Sequence, residues 1–155
     1  MGQEFPHHER RRPTHGVWTP RSAPTIVFVT ACTKGRVPWL ADPQVHELLL
    51  ACWAAADAWL VGGYVLMPDH LHLFAAPADD EISLERWMRY WKSQFTKQHG
   101  VPEHCWQRSH WDRRLRSNEN YAGKCRYVLD NPLRRGLVAR RDDWPFAGTL
   151  NELTW

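Results

Sequence analysis

Hydrophobic and polar positions follow two periods along this chain, one typical of strands and one typical of helices. Runs rich in apolar or β-branched residues predict strands at residues 25–33, 61–67 and 70–76, and residues 110–116 form a fourth predicted strand. Apolar residues at helical spacing predict helices at residues 43–58, 82–99 and 118–130. In chain order, these elements are strand, helix, strand, strand, helix and strand, followed by the last helix.

This order predicts an α+β fold of the ferredoxin-like β-α-β-β-α-β type, with an antiparallel sheet and an additional C-terminal helix. Right-handed crossovers then place the first two helices on one face of the sheet, and the third strand is central. A chain of 155 residues with 43% hydrophobic residues can bury one core, so we expect one domain at residues 23–155. Residues 1–22, rich in Pro, His and Arg, are expected to form a loosely docked basic arm.

The third predicted strand carries two histidines, His70 and His72, separated by one residue. Successive side chains of a strand point to opposite faces, so both imidazoles share one face while Leu71 and Leu73 share the other. Two imidazoles on one face of a strand can both coordinate a divalent cation, which needs a further ligand from elsewhere in the fold. The alternative interpretation is a pair of surface histidines on a half-exposed strand, because short histidine patterns are common.

Composition narrows the class of protein. No run approaches the ~18 uncharged apolar residues that a membrane helix needs, and the N-terminus lacks the hydrophobic segment of a signal peptide. We therefore expect a cytoplasmic protein with no membrane partner. The four cysteines show no C-x-x-C spacing, so neither a zinc ribbon nor a disulfide framework is indicated, and we expect reduced packing residues.

The net charge is +3, but acidic and basic residues are unevenly distributed along the chain. Residues 42–85 contain eight acidic residues and no Lys or Arg, whereas residues 86–141 contain fourteen basic and four acidic residues. Aromatic residues are interleaved with the charges of the second segment, which suits single-stranded or hairpin nucleic acid. Trp87 and Trp91, four apart on a predicted helix, are expected to be core residues instead. The candidates for phosphate contacts are Lys92, Arg108, Arg113, Arg114, Arg116 and Arg126, with Arg134 and Arg135 as further candidates.

The last predicted helix carries Tyr127, and Asn131 follows one turn later on the same side. Pro132 predicts that Asn131 is about the last helical residue, since the residue before a proline is disfavoured in the α region. An ordinary interpretation is also open, with Tyr127 as a packing residue and the Asn-Pro pair as a helix stop.

Four motifs occur in order along the chain. They are Met67-Pro68-Asp69-His70-Leu71-His72-Leu73-Phe74, Arg89-Tyr90-Trp91-Lys92, Trp106-Gln107-Arg108 with Trp111-Asp112, and the run YVLDNPLRRGLV from Tyr127 to Val138. Together they resemble the single-tyrosine HUH transposases, and within them the REP-associated tyrosine transposases. The likeness spans residues 25–147 and includes the Trp144-Pro145-Phe146 ending.

The resemblance implies a specific chemistry. His70, His72 and the side-chain oxygen of Asn131 would hold a divalent cation, Mg²⁺ with Mn²⁺ as an acceptable substitute, at the scissile phosphate of single-stranded DNA. Tyr127 would attack that phosphate, giving a 5′-phosphotyrosine and a free 3′-hydroxyl, from which strands can be rejoined. Proteins of this branch act on palindromic repeats that fold into hairpins, and we expect a monomer rather than a homodimer.

Two other functions stay open. A non-catalytic module that binds hairpin or single-stranded nucleic acid would keep its affinity in Tyr127→Phe and would form no covalent adduct. A metal-dependent phosphoesterase using water would also form no adduct, and its activity would be largely unaffected by Tyr127→Phe.

Overall fold

Five strands form one antiparallel sheet in the computed structural model, which describes residues 25–116 and 119–154. In chain order the strands are β1 (Val27–Cys32), β2 (Trp59–Leu66), β3 (His70–Pro77), β4 (Trp111–Arg114) and β5 (Ala147–Thr149). Their spatial order is β4-β1-β3-β2-β5, so β3 is central as predicted. The predicted arm at residues 1–22 lies outside the described residues.

The helices are α1 (Pro43–Ala55), α2 (Leu84–His99), α3 (Tyr121–Leu129) and α4 (Asn131–Arg134). Asp42 and Ser83 cap the starts of α1 and α2, because their side-chain oxygens accept backbone N–H bonds of the first turn. α2 ends as predicted at Gly100, whose φ of 67° is left-handed. α1 ends earlier than predicted, because the chain must turn before β2 begins at Trp59. Within the described ranges, no helix has the length and apolar character needed to cross a membrane.

The α1 and α2 helices pack together on one face of the sheet. Alternate residues of the central strands point into this layer, among them Val29 of β1 and Leu73 of β3. Trp87 and Trp91 are at most 1% exposed, which confirms that they are core residues, and the Trp87 indole donates to the Ala56 carbonyl at 2.7 Å. The predicted ferredoxin-like arrangement of the first two helices is confirmed.

β5 is absent from the predicted elements. It pairs antiparallel with β2 and extends the sheet at the edge opposite β4. Its sequence is Ala147-Gly148-Thr149, which is too short and too rich in small residues to display an alternating pattern. Pairing with a neighbouring strand, rather than local propensity, therefore defines this element.

The third predicted helix is divided at its C-terminal end, which corrects one prediction. α3 ends at Leu129, and Asn131 opens the short helix α4 rather than closing α3. Pro132 lies in the first turn of α4, where its missing N–H costs no hydrogen bond. The Arg135 N–H then donates to the Asn131 carbonyl at 2.9 Å, so the chain continues helically past the proline.

The α3 helix lies against β2 on the opposite face of the sheet from α1 and α2. The register of β2 shifts just before Tyr64, at Gly62 and Gly63. A Cβ at Gly63 would lie 2.2 Å from the Sγ of Cys125, and the Gly63 N–H donates to the Tyr121 hydroxyl at 3.3 Å. The missing side chain at Gly63 thus determines how closely α3 approaches the sheet.

Gly63→Ala is expected to displace α3, because the added methyl group overlaps the Cys125 sulfur. Overpacking of this kind lowers the free energy of unfolding by about 1–3 kcal/mol, which urea unfolding measures. The double variant Gly63→Ala/Cys125→Ala removes the overlapping sulfur and should recover most of the loss. Equal destabilisation in the single and double variants would contradict this packing.

Candidate metal and nucleophile site

His70 and His72 lie on the central strand β3, on the sheet face that also carries α3. Leu71 and Leu73 are fully buried on the opposite face, in the core with α1 and α2. The two imidazole centroids are 4.9 Å apart, with an interplanar angle of 75°. The histidines share one face as predicted, and His70 is only 6% exposed, unlike an ordinary surface histidine.

A carboxylate orients His70. Asp69 Oδ1 lies 2.7 Å from His70 Nδ1, and Asp69 Oδ2 accepts from the Nε of Arg36 at 2.9 Å. Arg36 has a left-handed backbone (φ 58°), uncommon for a non-glycine residue, and its side chain bonds both Asp69 and the Cys32 sulfur. When His70 donates its Nδ1–H to the carboxylate, its Nε2 lone pair is left for a ligand.

A hydroxyl orients His72. Thr30 of β1 lies directly opposite His72 in the strand register, and Thr30 Oγ1 is 2.8 Å from His72 Nδ1. The Phe28 ring stacks on His72, with centroids 5.3 Å apart and an interplanar angle of 24°. Both histidines therefore engage Nδ1 within the protein, and no hydrogen bond to another described residue occupies either Nε2, which leaves this atom for a ligand, as metal-binding histidines commonly do.

Burial keeps both imidazoles neutral at pH 7. It lowers the pKa of His72 to about 3, with smaller contributions from His70 and from the nearby Arg135 and Arg134. Burial also lowers the pKa of His70, although the Asp69 carboxylate acts in the opposite direction. Neutral imidazole is the form that binds metal, so both side chains are ready to act as ligands.

The donor set supplies two nitrogens for a divalent cation. Among residues 25–116 and 119–154, no group of three His, Cys, Asp or Glu side chains is placed to hold a metal ion. Within the described part of the chain, the further ligands on offer are oxygens, from Asn131, water or a bound phosphate. No hydrogen bond of the described residues joins Asn131 to either imidazole, and its Oδ1 accepts from Arg134 at 3.4 Å. Two neutral imidazoles with available Nε2 atoms fit a cation that is completed by oxygen ligands.

Thr30→Val is expected to weaken metal binding about 10- to 100-fold, because it deletes the hydroxyl that orients His72 while keeping the side-chain shape. A Mn²⁺ titration followed by electron paramagnetic resonance measures the affinity. Thr30→Ser keeps the hydroxyl and serves as the matched control. If Thr30→Val bound Mn²⁺ as tightly as the wild type, Thr30 would have no role in orienting a ligand.

Of the four tyrosines, only Tyr127 is both exposed and carried by a helix on the histidine face. Tyr64 is buried, and its hydroxyl lies 2.7 Å from His46 Nε2. Tyr90 is exposed but belongs to α2, on the opposite face. Tyr121 anchors α3, and burial raises its pKa to about 12, which disfavours a phenolate. Tyr127 is 64% exposed and is the best-placed nucleophile of the four.

Arg134 of α4 contacts both Tyr127 and Asn131. Its guanidinium lies 3.7 Å from the centroid of the Tyr127 ring and donates to the Tyr127 backbone carbonyl. The same guanidinium bonds Asn131 Oδ1, and its charge contributes to the lowered pKa of His72. In the described residues no hydrogen bond or ring contact joins Tyr127 to His70 or His72. The described residues therefore show the histidine pair and Tyr127 on the same side of the sheet, without a direct contact between them.

Seven of the eight predicted phosphate-binding residues are exposed, namely Arg108, Arg113, Arg114, Arg116, Arg126, Arg134 and Arg135. Arg113 is also held by a bidentate pair with Glu119, with both N–O distances at 3.1 Å. Hydrogen bonds from Arg113 and Lys124 lower the pKa of Glu119 to about 2. The positive charge of this segment is thus carried at the surface, with Arg113 partly neutralised.

Lys92 departs from the prediction, because it points into the interior. It is 8% exposed, and its Nζ donates to the Gln107 carbonyl at 3.1 Å. Burial lowers its pKa to about 8. In this position Lys92 supports the segment that leads to Arg108, and it does not present its ammonium group to a phosphate.

Three residues of the site were not among the predicted site residues: Thr30, Arg36 and Asp69. Asp69 adjoins His70 in the sequence, so the common pairing of a carboxylate with a ligating histidine is the signal that identifies it. Thr30 reaches His72 through the sheet register, and Arg36 reaches Asp69 through a turn, which no local sequence pattern displays.

Comparisons with known proteins agree on one family. An 88-residue stretch is 32% identical to the REP-associated tyrosine transposase of Escherichia coli K12, covering 56% of this chain and 52% of that protein. A solved REP-associated tyrosine transposase bound to a REP hairpin matches with a TM-score of 0.65 and 26% identity, over 79% of this chain and 75% of that chain. The resemblance to the REP-associated tyrosine transposases is confirmed.

Two other matches are a curated protein and a solved structure. A Haemophilus influenzae protein named as a candidate member is 28% identical over 97 residues, which are 53% of this chain and 54% of that protein. A Deinococcus radiodurans R1 structure described as a candidate transposase has a TM-score of 0.50 at 16% identity, over 74% of this chain and 96% of that chain, and shares the fold. The chain spans about half the length of the curated relatives it matches. No protein-family model matches it.

Proposed function

We propose that this chain acts as a REP-associated tyrosine transposase, which nicks single-stranded DNA beside a palindromic hairpin and rejoins strands. The observation that carries the proposal is the presence, on one side of the sheet, of two imidazoles whose Nδ1 atoms are engaged and of one exposed tyrosine stacked against the Arg134 guanidinium. The similarity to REP-associated tyrosine transposases supports the same function.

The proposed nucleophile is the hydroxyl of Tyr127. Its oxygen forms a bond to the scissile phosphorus, the bond to the 3′-oxygen breaks, the phenol proton passes to solvent, and the departing 3′-oxygen takes up a proton. Because the phosphodiester is kept as a 5′-phosphotyrosine, a 3′-hydroxyl can later attack it and restore DNA without ATP. A phenol has a pKa near ~10, so a positive charge beside Tyr127 helps by stabilising the developing phenolate. The Arg134 guanidinium over the ring is placed to do this.

His70 and His72 are the proposed metal ligands, and Asn131 is the proposed third protein ligand. A bound divalent cation would supply Lewis-acid polarisation of the scissile phosphate. Mg²⁺ is proposed for the cell, and Mn²⁺ is expected to substitute for it, because imidazole nitrogens favour the softer ion while phosphate and amide oxygens suit both.

Hairpin DNA is the proposed substrate. The solved relative bound to a REP hairpin supports this choice, as do the exposed arginines of residues 108–126. A monomer is proposed because α3, which carries Tyr127, packs on the sheet of its own chain through Gly63 and Cys125. Tyr127 would then act in cis with the histidines of the same chain.

A covalent-adduct assay tests the proposal. The protein is incubated with labelled single-stranded DNA carrying a palindromic repeat from beside its own gene, with Mg²⁺, Mn²⁺ or a chelator, and is separated under denaturing conditions. We expect a protein–DNA band that requires the divalent cation. Hairpin binding without any adduct would favour a non-catalytic binding module, and DNA cleavage without an adduct would favour a phosphoesterase that uses water.

A further inference from the structure

The carboxylate of Glu119 joins three segments of the chain at the start of α3. Its two oxygens accept hydrogen bonds from the two terminal nitrogens of Arg113 in β4, both at 3.1 Å. Oε1 also accepts the Arg116 N–H at 3.2 Å, and Oε2 lies 3.0 Å from Nζ of Lys124, in the first turn of α3. A carboxylate has about four lone pairs, so these four contacts engage both oxygens fully.

This network differs from an isolated surface ion pair. An isolated exposed pair holds its partners weakly, because two flexible side chains must be immobilised and water screens their charges. A guanidinium that meets both oxygens of a carboxylate is directional, and Lys124 adds a second cation to the same group. The Glu119 side chain is 16% exposed, against 53% for Arg113. We therefore expect the network to restrict the movement of α3 relative to β4.

The network lies at one end of a cross-strand row on the histidine face of the sheet. Phe28 of β1 is opposite both Arg113 of β4 and Phe74 of β3, so these three side chains share a face. Tyr121, the first residue of α3, packs on the Phe74 ring, with centroids 5.1 Å apart. His72 is two residues from Phe74 along β3, which is about 7 Å in a strand. The start of α3 is therefore held one row away from His72.

Lys124 and Tyr127 occupy neighbouring positions on the surface of α3. They are three residues apart, so their side chains lie side by side on the helix. Cys125, next to Lys124 in the chain, packs closely against Gly63 of the sheet. A contact on the sheet side and a second contact from Lys124 to Glu119 fix the rotation of the helix about its axis. That rotation sets the direction in which Tyr127 points.

We propose that Glu119 is a positioning residue for the Tyr127 nucleophile. Through Lys124 it sets the rotation of α3, and through Arg113 it ties this helix to the sheet that carries the histidine pair. The proposal rests on the proposed function, because it takes the Tyr127 hydroxyl as the attacking group. A reacting atom misplaced by about 1 Å can slow a reaction about 100-fold, so a residue that touches no reacting group can control the rate.

Single-turnover kinetics at saturating hairpin DNA test the proposal. The amplitude of adduct formation counts the active molecules, and the rate constant reports how well Tyr127 is placed. Glu119→Gln keeps the side-chain shape without the charge, and Lys124→Met removes the contact to α3 alone. Each is expected to lower the rate constant about 10- to 100-fold, and the double variant no further. Hairpin affinity should not fall in Glu119→Gln, because Arg113 loses the carboxylate that partly neutralises it.

Glu85→Gln is the matched control, because it removes an equal charge from the exposed pair with Arg89 on α2. It should react as the wild type does. A lower amplitude with an unchanged rate constant in Glu119→Gln would show a contribution to folding alone and would overturn the proposal, as would additive losses in the double variant. Lys124→Met decides between the same outcomes if Glu119→Gln unfolds.

Hydrogen exchange followed by mass spectrometry is measured in parallel on the DNA-free proteins. The amides of α3 should exchange faster in Glu119→Gln than in the wild type, while those of β1 and β3 are unchanged. If the wild type forms no adduct, the proposed catalysis fails. Faster exchange confined to α3 then still supports the role of Glu119 in placing this helix, whereas unchanged exchange of α3 overturns it.

Discussion

Tyr127→Phe is expected to abolish the covalent protein–DNA adduct and to lower cleavage by at least about 1,000-fold, while hairpin affinity changes little. Loss of a nucleophile removes the covalent route entirely, and phenylalanine has no oxygen to attack phosphorus. The ring that lies beneath the Arg134 guanidinium is kept, so the local packing of α3 and α4 is preserved. Adduct yield on a denaturing gel and affinity by anisotropy measure the two effects separately.

Tyr121→Phe is the control for this substitution. Tyr121 lies on the same helix but is half-buried, and its hydroxyl bonds the Gly63 N–H. Its loss is expected to reduce stability slightly and to leave the adduct intact. An adduct that persists in Tyr127→Phe, or one that disappears in Tyr121→Phe, would contradict the assignment of the nucleophile.

His72→Ala and His70→Ala are expected to lower metal-dependent cleavage by more than about 100-fold, because loss of a ligand should exceed the effect of losing a supporting hydrogen bond. Binding of the hairpin should persist, since the exposed arginines, not the histidines, are the proposed phosphate contacts. Mn²⁺ affinity and adduct yield are the measurements, and both should fall together.

His104→Ala serves as the matched control for the histidine pair. His104 also contacts a second histidine, with its Nδ1 2.8 Å from His99 Nε2, but this pair stacks on Trp39 away from β3. Cleavage and Mn²⁺ affinity should be unchanged in this variant. Wild-type cleavage by His72→Ala would exclude the histidine pair from the reaction.

Much of the fold is predictable because its elements carry strong local signals. The period of two in residues 70–76 predicts β3 and its two faces, and Ser83 and Gly100 mark the ends of α2. The short β5 and the register shift at Gly63 depend on pairing and packing between distant segments, which have no local pattern. The end of α3 differs from the predicted end at about Asn131, because Pro132 is tolerated in the first turn of a new helix.

The chemical groups of the candidate site are more predictable than their contacts. His70 and His72 follow from strand periodicity, and Tyr127 and Asn131 from the resemblance to a family. The guanidinium stacked on Tyr127 depends on how the chain turns after α3, which the sequence does not specify. The burial of Lys92 could have been predicted from its position. It is four residues after the buried Met88 and so falls on the buried face of α2.

The most direct test of the central claim is to map the adduct. The wild-type protein is trapped on hairpin DNA with Mn²⁺, the complex is digested with protease and nuclease, and mass spectrometry locates the nucleotide on the peptides. We expect a single 5′-phosphotyrosine at Tyr127, with none formed in His72→Ala. A nucleotide on Tyr64, Tyr90 or Tyr121, or an adduct of equal yield in His72→Ala, would contradict a single site built from the histidine pair and Tyr127.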